Sequence, residues 1–169
     1  LWPIGLDHGA ILSSGNIASV VGGAGMPWNT SQSTSTFWGL PGDPLINGIS
    51  GFPTFDAAKL RFEIKSEYNQ LIVFHYVFGS ECYDEWVGSQ YNDGFGIWID
   101  GTNVTLIPPC LGALPVTINN VNNGNPWYLT NTASVRETEL DGLTQNPAAP
   151  VAGPGIPVTS IPFMLTANQ

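Results

Sequence analysis

From residue 58 to 65 the chain reads Ala, Lys, Leu, Arg, Phe, Glu, Ile, Lys, so Ala58, Leu60, Phe62 and Ile64 share one face and Lys59, Arg61, Glu63 and Lys65 the other. Successive side chains of an extended chain point to opposite faces, and this alternation predicts a half-buried strand. The run QLIVFHYVFG, residues 70–79, is nearly continuous in β-branched and aromatic residues and predicts a central strand covered on both faces. GFGIWIDG, residues 94–101, predicts another, closed by an Asp-Gly turn that favours a hairpin into NVTLIP. PVTIN, residues 115–119, predicts a further strand. Nowhere do apolar residues recur at helical spacing over three turns, so helices are expected to be few and short.

The 20 glycines and 14 prolines punctuate all of these runs. Residues 22–53, rich in Gly, Ser, Thr and Pro and carrying Trp28, Phe37 and Trp38, follow no strand pattern and predict a long ordered loop. Residues 146–157, rich in Pro, Ala and Gly, are expected to be extended and irregular. No internal repeat interrupts the 169 residues, which fit one domain with one core. Many short strands joined by such turns indicate an all-β fold, an antiparallel β-sandwich of jelly-roll type with long ordered loops and little helix.

Hydrophobic residues make up 43% of the chain and charged residues only 10%, which excludes disorder and leaves a surface of Asn, Thr, Ser and Gln in the extracellular style. Thirteen acids against four bases give a formal net charge of -9, so nucleic acid is repelled. No apolar run approaches the roughly 18 to 20 residues that span a bilayer, and the opening LWPIGLDHGA has no signal-peptide layout and reads as a processed terminus. A secreted or extracellular-surface location is expected. Two cysteines, Cys82 and Cys110, are too few for a thiolate zinc site and fit one disulfide, worth roughly 3.5 kcal/mol in the chain-entropy picture. Asn29 and Asn103 each open an Asn-X-Ser/Thr glycosylation triplet.

Three of the four bases, Lys59, Arg61 and Lys65, fall within one predicted strand, and no Lys or Arg occurs from Glu67 to Val135. Within that stretch, FGSECYDEWVGSQYNDGFG, residues 78–96, gathers acids, amides and aromatics between two predicted strands, so Glu81 and the pair Asn92 and Asp93 fall at the same end of the sandwich. Two carboxylates about 5 Å apart repel by about 3 kcal/mol at an effective dielectric near 20, so the cluster must be solvated, protonated or metal-bound. Oxygen ligands without His or thiolate select a hard cation, and Glu81, Asn92 and Asp93, with Asp56 and Asp141 as companions, are candidate ligands for Ca2+. The alternative is that these side chains cap turns by accepting backbone N–H bonds. A third reading pairs Glu81 with Asp93 as glycosidase carboxylates.

Tyr83, Trp86 and Tyr91 flank the acids and are candidates either to stack on sugar faces or to pack the loop onto the sandwich. His75 lies within an apolar run and is expected to be a core histidine, while Ser13 and Ser14 lack a nucleophile elbow. VVGGAG departs from the dinucleotide fingerprint.

Six ordered stretches resemble the choice-of-anchor L domain family of secreted and cell-surface proteins: GAILSSGN (9–16), GDPL (42–45), TFDAAKLRFEI (54–64), FHYVFGSECYDEWVGSQYNDGFGIWIDG (74–101), PVTINNVN (115–122) and ETELDGLT (137–144). The resemblance implies attachment or display at the cell exterior and no general enzymatic activity. The family usually carries two acids before the tyrosine, where this chain has Glu81 and then Cys82, which removes one potential ligand. It also implies further strands before LWPIGL and after PFMLTANQ, so a cleaved remainder of the precursor or a neighbouring copy is expected to cover an open edge by strand addition. The expected function is a structural or adhesive module whose partners are surface or matrix glycans, or copies of itself; the alternatives are a calcium-dependent carbohydrate-binding protein and a glycan-cleaving enzyme.

Overall fold

The computed structural model describes residues 8–17, 36–107, 113–131, 140–145, 158–160 and 162–166. Among the described residues the complete regular elements are one short helix, α1 (Pro44–Ser50), and eleven strands of two or three residues: β1 (Gln70–Ile72), β2 (His75–Tyr76), β3 (Gly79–Ser80), β4 (Gly94–Phe95), β5 (Trp98–Ile99), β6 (Thr102–Asn103), β7 (Val116–Thr117), β8 (Tyr128–Thr130), β9 (Gly142–Thr144), β10 (Val158–Thr159) and β11 (Phe163–Leu165). Every described pairing is antiparallel: β1 with β11, β2 with β10, β4 with β7, β5 with β6, and β9 between β3 and β8. The fold is all-β, as the sequence predicts, with layered antiparallel sheets.

Local chemistry explains the elements that the sequence announced. Asp100 and Gly101 both take positive φ, 48° and 80°, the geometry that turns β5 tightly back into β6. PVTIN supplies β7, which pairs Gly94 with Thr117 and Phe95 with Val116. The helix falls inside the expected loop of residues 22–53. The Asp43 carboxylate accepts the Leu45 N–H at 2.8 Å as N-cap, Pro44 fills the first turn, and left-handed Gly51 ends it with its N–H on the Asn47 carbonyl. Asp43 also forms an ion pair with Lys59, whose hydrogen bond holds the carboxyl below the usual range.

Three expectations are corrected. The run of residues 70–79 is not one central strand; it breaks into β1, β2 and β3, each with a different partner. Only one face is covered: Tyr76, Phe78 and Ser80 are buried while Leu71, Val73 and His75 face solvent, so His75 is not a core residue. Residues 58–65 join no sheet among the described residues, and Leu60 and Phe62 are exposed. Alternation alone does not make a strand: no neighbouring described strand supplies the ladder that would bury the apolar face.

The core lies beneath the acidic loop. Tyr76, Phe78, Tyr83, Ile107, Val116, Ile118, Val121 and Tyr128 form one buried cluster, with Cys82, Val87, Phe95 and Trp127 packed against it.

Candidate functional site

The loop of residues 81–93 leaves the end of β3 and returns at the start of β4, so its ends are fixed by two sheets. Ser80, buried at the end of β3, bridges them: its hydroxyl donates to Asp93 Oδ2 at 2.6 Å and accepts the Cys82 N–H at 2.9 Å. Asp93 is itself exposed, and its carbonyl accepts the Ile118 N–H from the chain following β7. Glu81 is half-buried with both carboxylate oxygens enclosed. The structure therefore brings Glu81 and Asp93 to one place, around Ser80 and Cys82.

Cys82 is a free thiol packed against the core, so the expected Cys82–Cys110 bond is not formed here; Cys110 lies outside the described residues. Burial pushes its pKa up to about 12, and the nearby Asp93 charge adds to the effect. A thiol so held is a packing group and not a nucleophile.

The other three proposed ligands are placed elsewhere or occupied. Asp56 sits in the left-handed region at φ 52°, and its carboxylate accepts the N–H groups of Trp38 at 3.0 Å and Leu40 at 2.7 Å. It closes the turn around the Pro41 to Phe55 bridge and is a cap. Asn92 is buried and ties three segments together: its amide donates to the Ser50 carbonyl at the end of α1 at 2.7 Å and accepts the Asn119 N–H at 3.0 Å. Asp141 precedes β9, opposite the end of β3, and is buried. Burial raises its pKa, and the charges of Glu85 and then Asp84 raise it further. Asp84 in turn accepts the Tyr128 hydroxyl at 3.1 Å, and burial pushes that hydroxyl up to about 12. The acids thus divide into a Glu81 and Asp93 group and an Asp84, Glu85 and Asp141 group. Among the described residues no three His, Cys, Asp or Glu side chains are arranged to hold a metal ion.

The aromatics divide as well. Tyr83 is fully buried, its hydroxyl donates to the Val121 carbonyl at 2.5 Å, and its ring packs on Tyr128 with centroids 4.8 Å apart; it is core and not a ligand contact. Trp86 and Tyr91 are exposed and meet edge to face with centroids 4.9 Å apart. Between them the backbone is held by the Trp86 N–H on the Cys82 carbonyl, the Ser89 N–H on the Trp86 carbonyl, and the Asn119 side chain, which accepts from Gly88 and donates to Ser89. Ser80, Asn119 and Tyr128 organise the site and were not singled out from sequence, although Ser80 and Asn119 lie within the quoted stretches of residues 78–96 and 115–122.

Of the two glycosylation triplets, Asn29 lies outside the described residues. The Asn103 side chain turns inward: its Oδ1 accepts the Thr105 N–H at 2.9 Å and hydroxyl at 2.7 Å, and its Nδ2 is buried. The folded chain does not offer that nitrogen to a modifying enzyme.

The family model described as the Choice-of-anchor L domain matches residues 3–151. The chain belongs to the choice-of-anchor L family. That places it among surface-associated or secreted modules, and the loop just described lies wholly inside the matched region. No curated protein and no solved structure gives a significant match. Among the described residues no helix is long and apolar enough to cross a membrane.

Proposed function

We propose that this choice-of-anchor L domain is a non-enzymatic adhesive module that contacts its ligand through the outer side of the loop of residues 81–93. One observation carries the reading: the fold uses Tyr83, Asn92 and the Ser80 to Asp93 bridge internally and leaves Trp86 and Tyr91 exposed together on a pinned backbone. Exposed aromatic area on a backbone fixed by hydrogen bonds loses little freedom on binding, which favours contact with a partner. Surface or matrix glycans are the ligand class that this pair suits best, since a ring face stacks on a sugar face while neighbouring carboxylates accept hydroxyls. Calcium is the proposed stabilising ion, supported by the all-oxygen donor chemistry of the acidic loop.

A glycan array probed with the protein, with and without calcium, tests the reading. The expected result is binding that is lost in Trp86→Ala and Tyr91→Ala variants with unchanged melting temperatures. Binding indifferent to both substitutions moves the ligand surface elsewhere, and release of reducing sugar from a bound glycan replaces adhesion with hydrolysis.

A further inference from the structure

Of the five asparagines in residues 119–125, four have their side chains in use. Asn119 accepts from Gly88 and donates to Ser89, Asn120 donates to the Pro115 carbonyl, and Asn122 donates to the carbonyls of Ile118 and Asn119. Asn125 donates to the Asn120 carbonyl and accepts the Trp127 N–H. Asn123 is exposed and makes no hydrogen bond with any described residue. Gly124 follows it, exposed at φ 92°, where even an added Cβ would meet nothing within 4 Å. The two form the centre of a turn closed by a single bond, the Asn125 N–H on the Asn122 carbonyl at 2.9 Å, so the Gly124 N–H takes no part in the closure.

An asparagine amide one residue before a glycine is open to attack by the glycine's own backbone nitrogen, because no Cβ on that residue shields it. The Gly124 nitrogen bonds to Cγ of Asn123 and gives its proton to water, the Cγ–Nδ2 bond breaks, and Nδ2 leaves as ammonia. The product is a five-membered succinimide. Water then opens the ring. Addition at Cγ gives aspartate on an ordinary backbone; addition at the main-chain carbonyl carbon gives isoaspartate, with the backbone running through Cβ and Cγ. Water is the only co-reactant, and nothing is oxidised or reduced.

The sequence contains two Asn-Gly pairs, and the fold separates them. Asn47 and Gly48 lie inside α1, and the Asn47 Oδ1 accepts the Thr54 N–H at 2.8 Å and its hydroxyl at 2.5 Å. A side chain so held does not swing its Cγ onto the next nitrogen. The three Asp-Gly pairs, at residues 93, 100 and 141, carry carboxylates, which are poorer electrophiles than an amide at neutral pH, and Gly94 and Gly142 are paired in β4 and β9. We infer that Asn123 is a site of spontaneous modification, converted through the succinimide with Gly124 to aspartate and isoaspartate in the folded protein. Either product adds one negative charge to a chain of net charge -9, and isoaspartate also lengthens the backbone of the turn ahead of Tyr128, whose hydroxyl donates to Asp84. The assignment does not depend on the ligand proposed for Trp86 and Tyr91.

Incubation of the intact protein in heavy-oxygen water at mildly alkaline pH tests it, with one sample folded and one in urea, until the urea sample has converted. Peptides are then mapped by mass spectrometry with electron-based fragmentation, which tells isoaspartate from aspartate. In the folded protein Asn123 is expected to lose ammonia, take up heavy oxygen and give both isomers, while Asn47 stays an amide. In urea both are expected to convert, because unfolding removes the helix and the Thr54 bonds. Asn123→Gln, whose side chain would have to close a six-membered ring, is expected to lose the conversion and to melt like the wild type, since the side chain is exposed. A folded sample with Asn123 unchanged, one in which Asn47 converts as fast as Asn123, or an Asn123 that yields aspartate without isoaspartate each overturns the proposal.

Discussion

Gly142 lies directly beneath the ring of Tyr83. A Cβ added there would stand 2.5 Å from Cε2 of Tyr128 and closer still to the Tyr83 ring, and neither ring can yield, because Tyr83 is fully buried with its hydroxyl on the Val121 carbonyl. The sheet β3–β9–β8 reaches its packing against the acidic loop only because residue 142 has no side chain. Gly142→Ala is therefore expected to destabilise the domain by about 1–3 kcal/mol, the usual cost of overpacking. Tyr83→Phe, which keeps the ring and removes the hydrogen bond, is expected to cost about 1 kcal/mol and to leave the Val121 carbonyl without that donor. Urea denaturation of the three proteins measures both.

Asp56 offers a way to separate capping from metal binding. Its two carboxylate oxygens each hold one backbone N–H, and its φ of 52° is tolerated by Asn and Gly better than by other residues. Asp56→Asn is expected to keep the backbone conformation and one acceptor and to lose little, while Asp56→Ala is expected to lose about 1–3 kcal/mol. Neither loss should depend on calcium. A calcium-dependent difference between the two variants in thermal melting would make Asp56 a ligand after all.

Sequence revealed most where a feature is local. Asp100 and Gly101 carry their own turn geometry, whereas the Pro44 to Ser50 helix, capped by Asp43 and stopped by Gly51, lies within residues 22–53, where a loop was expected. What escaped depends on partners far along the chain. Whether the outer face of residues 70–79 is covered is not written in their apolar run; it depends on where β10 and β11 lie, and these leave Leu71 and Val73 bare. Asp141 is a companion of Glu81 and Asp93 in the sequence as the acid of a separate motif, whereas the charges acting on it are those of Glu85 and Asp84. Tyr83 stands between acids in the sequence, yet its hydroxyl has an internal acceptor in Val121, a pairing across 38 residues that no local pattern reveals.

Cys82 gives a chemical readout of its surroundings. With its pKa pushed up to about 12 by burial and the adjacent Asp93, little thiolate exists at pH 8. The native protein is expected to react slowly with an alkylating reagent at Cys82 and quickly once denatured, as peptide mapping by mass spectrometry would show. A Cys82 that resists alkylation in the denatured, unreduced protein and yields only after reduction would establish the disulfide expected from the cysteine count.

Asp141 ties stability to pH and gives the calcium proposal a test. Burial, followed by the charges of Glu85 and Asp84, raises its pKa above 3.8, so the folded state favours the protonated form. The resulting instability is absent below the unfolded value, grows as pH rises from there through the raised folded value, and is constant above it. Asp141→Asn is therefore expected to be more stable than the wild type in urea at pH 7, with the advantage closing as pH falls below 3.8. Under the proposed calcium reading, a cation beside Asp84 and Glu85, which are exposed, would turn the repulsion felt by Asp141 into attraction. Added calcium is expected to raise the wild-type melting temperature, with about 2.7 kcal/mol gained at a hundredfold excess over Kd, and to do less for Asp141→Asn. Wild-type melting that neither calcium nor a chelator moves would remove the metal from the function while leaving the pH effect of Asp141 to stand on burial and repulsion alone.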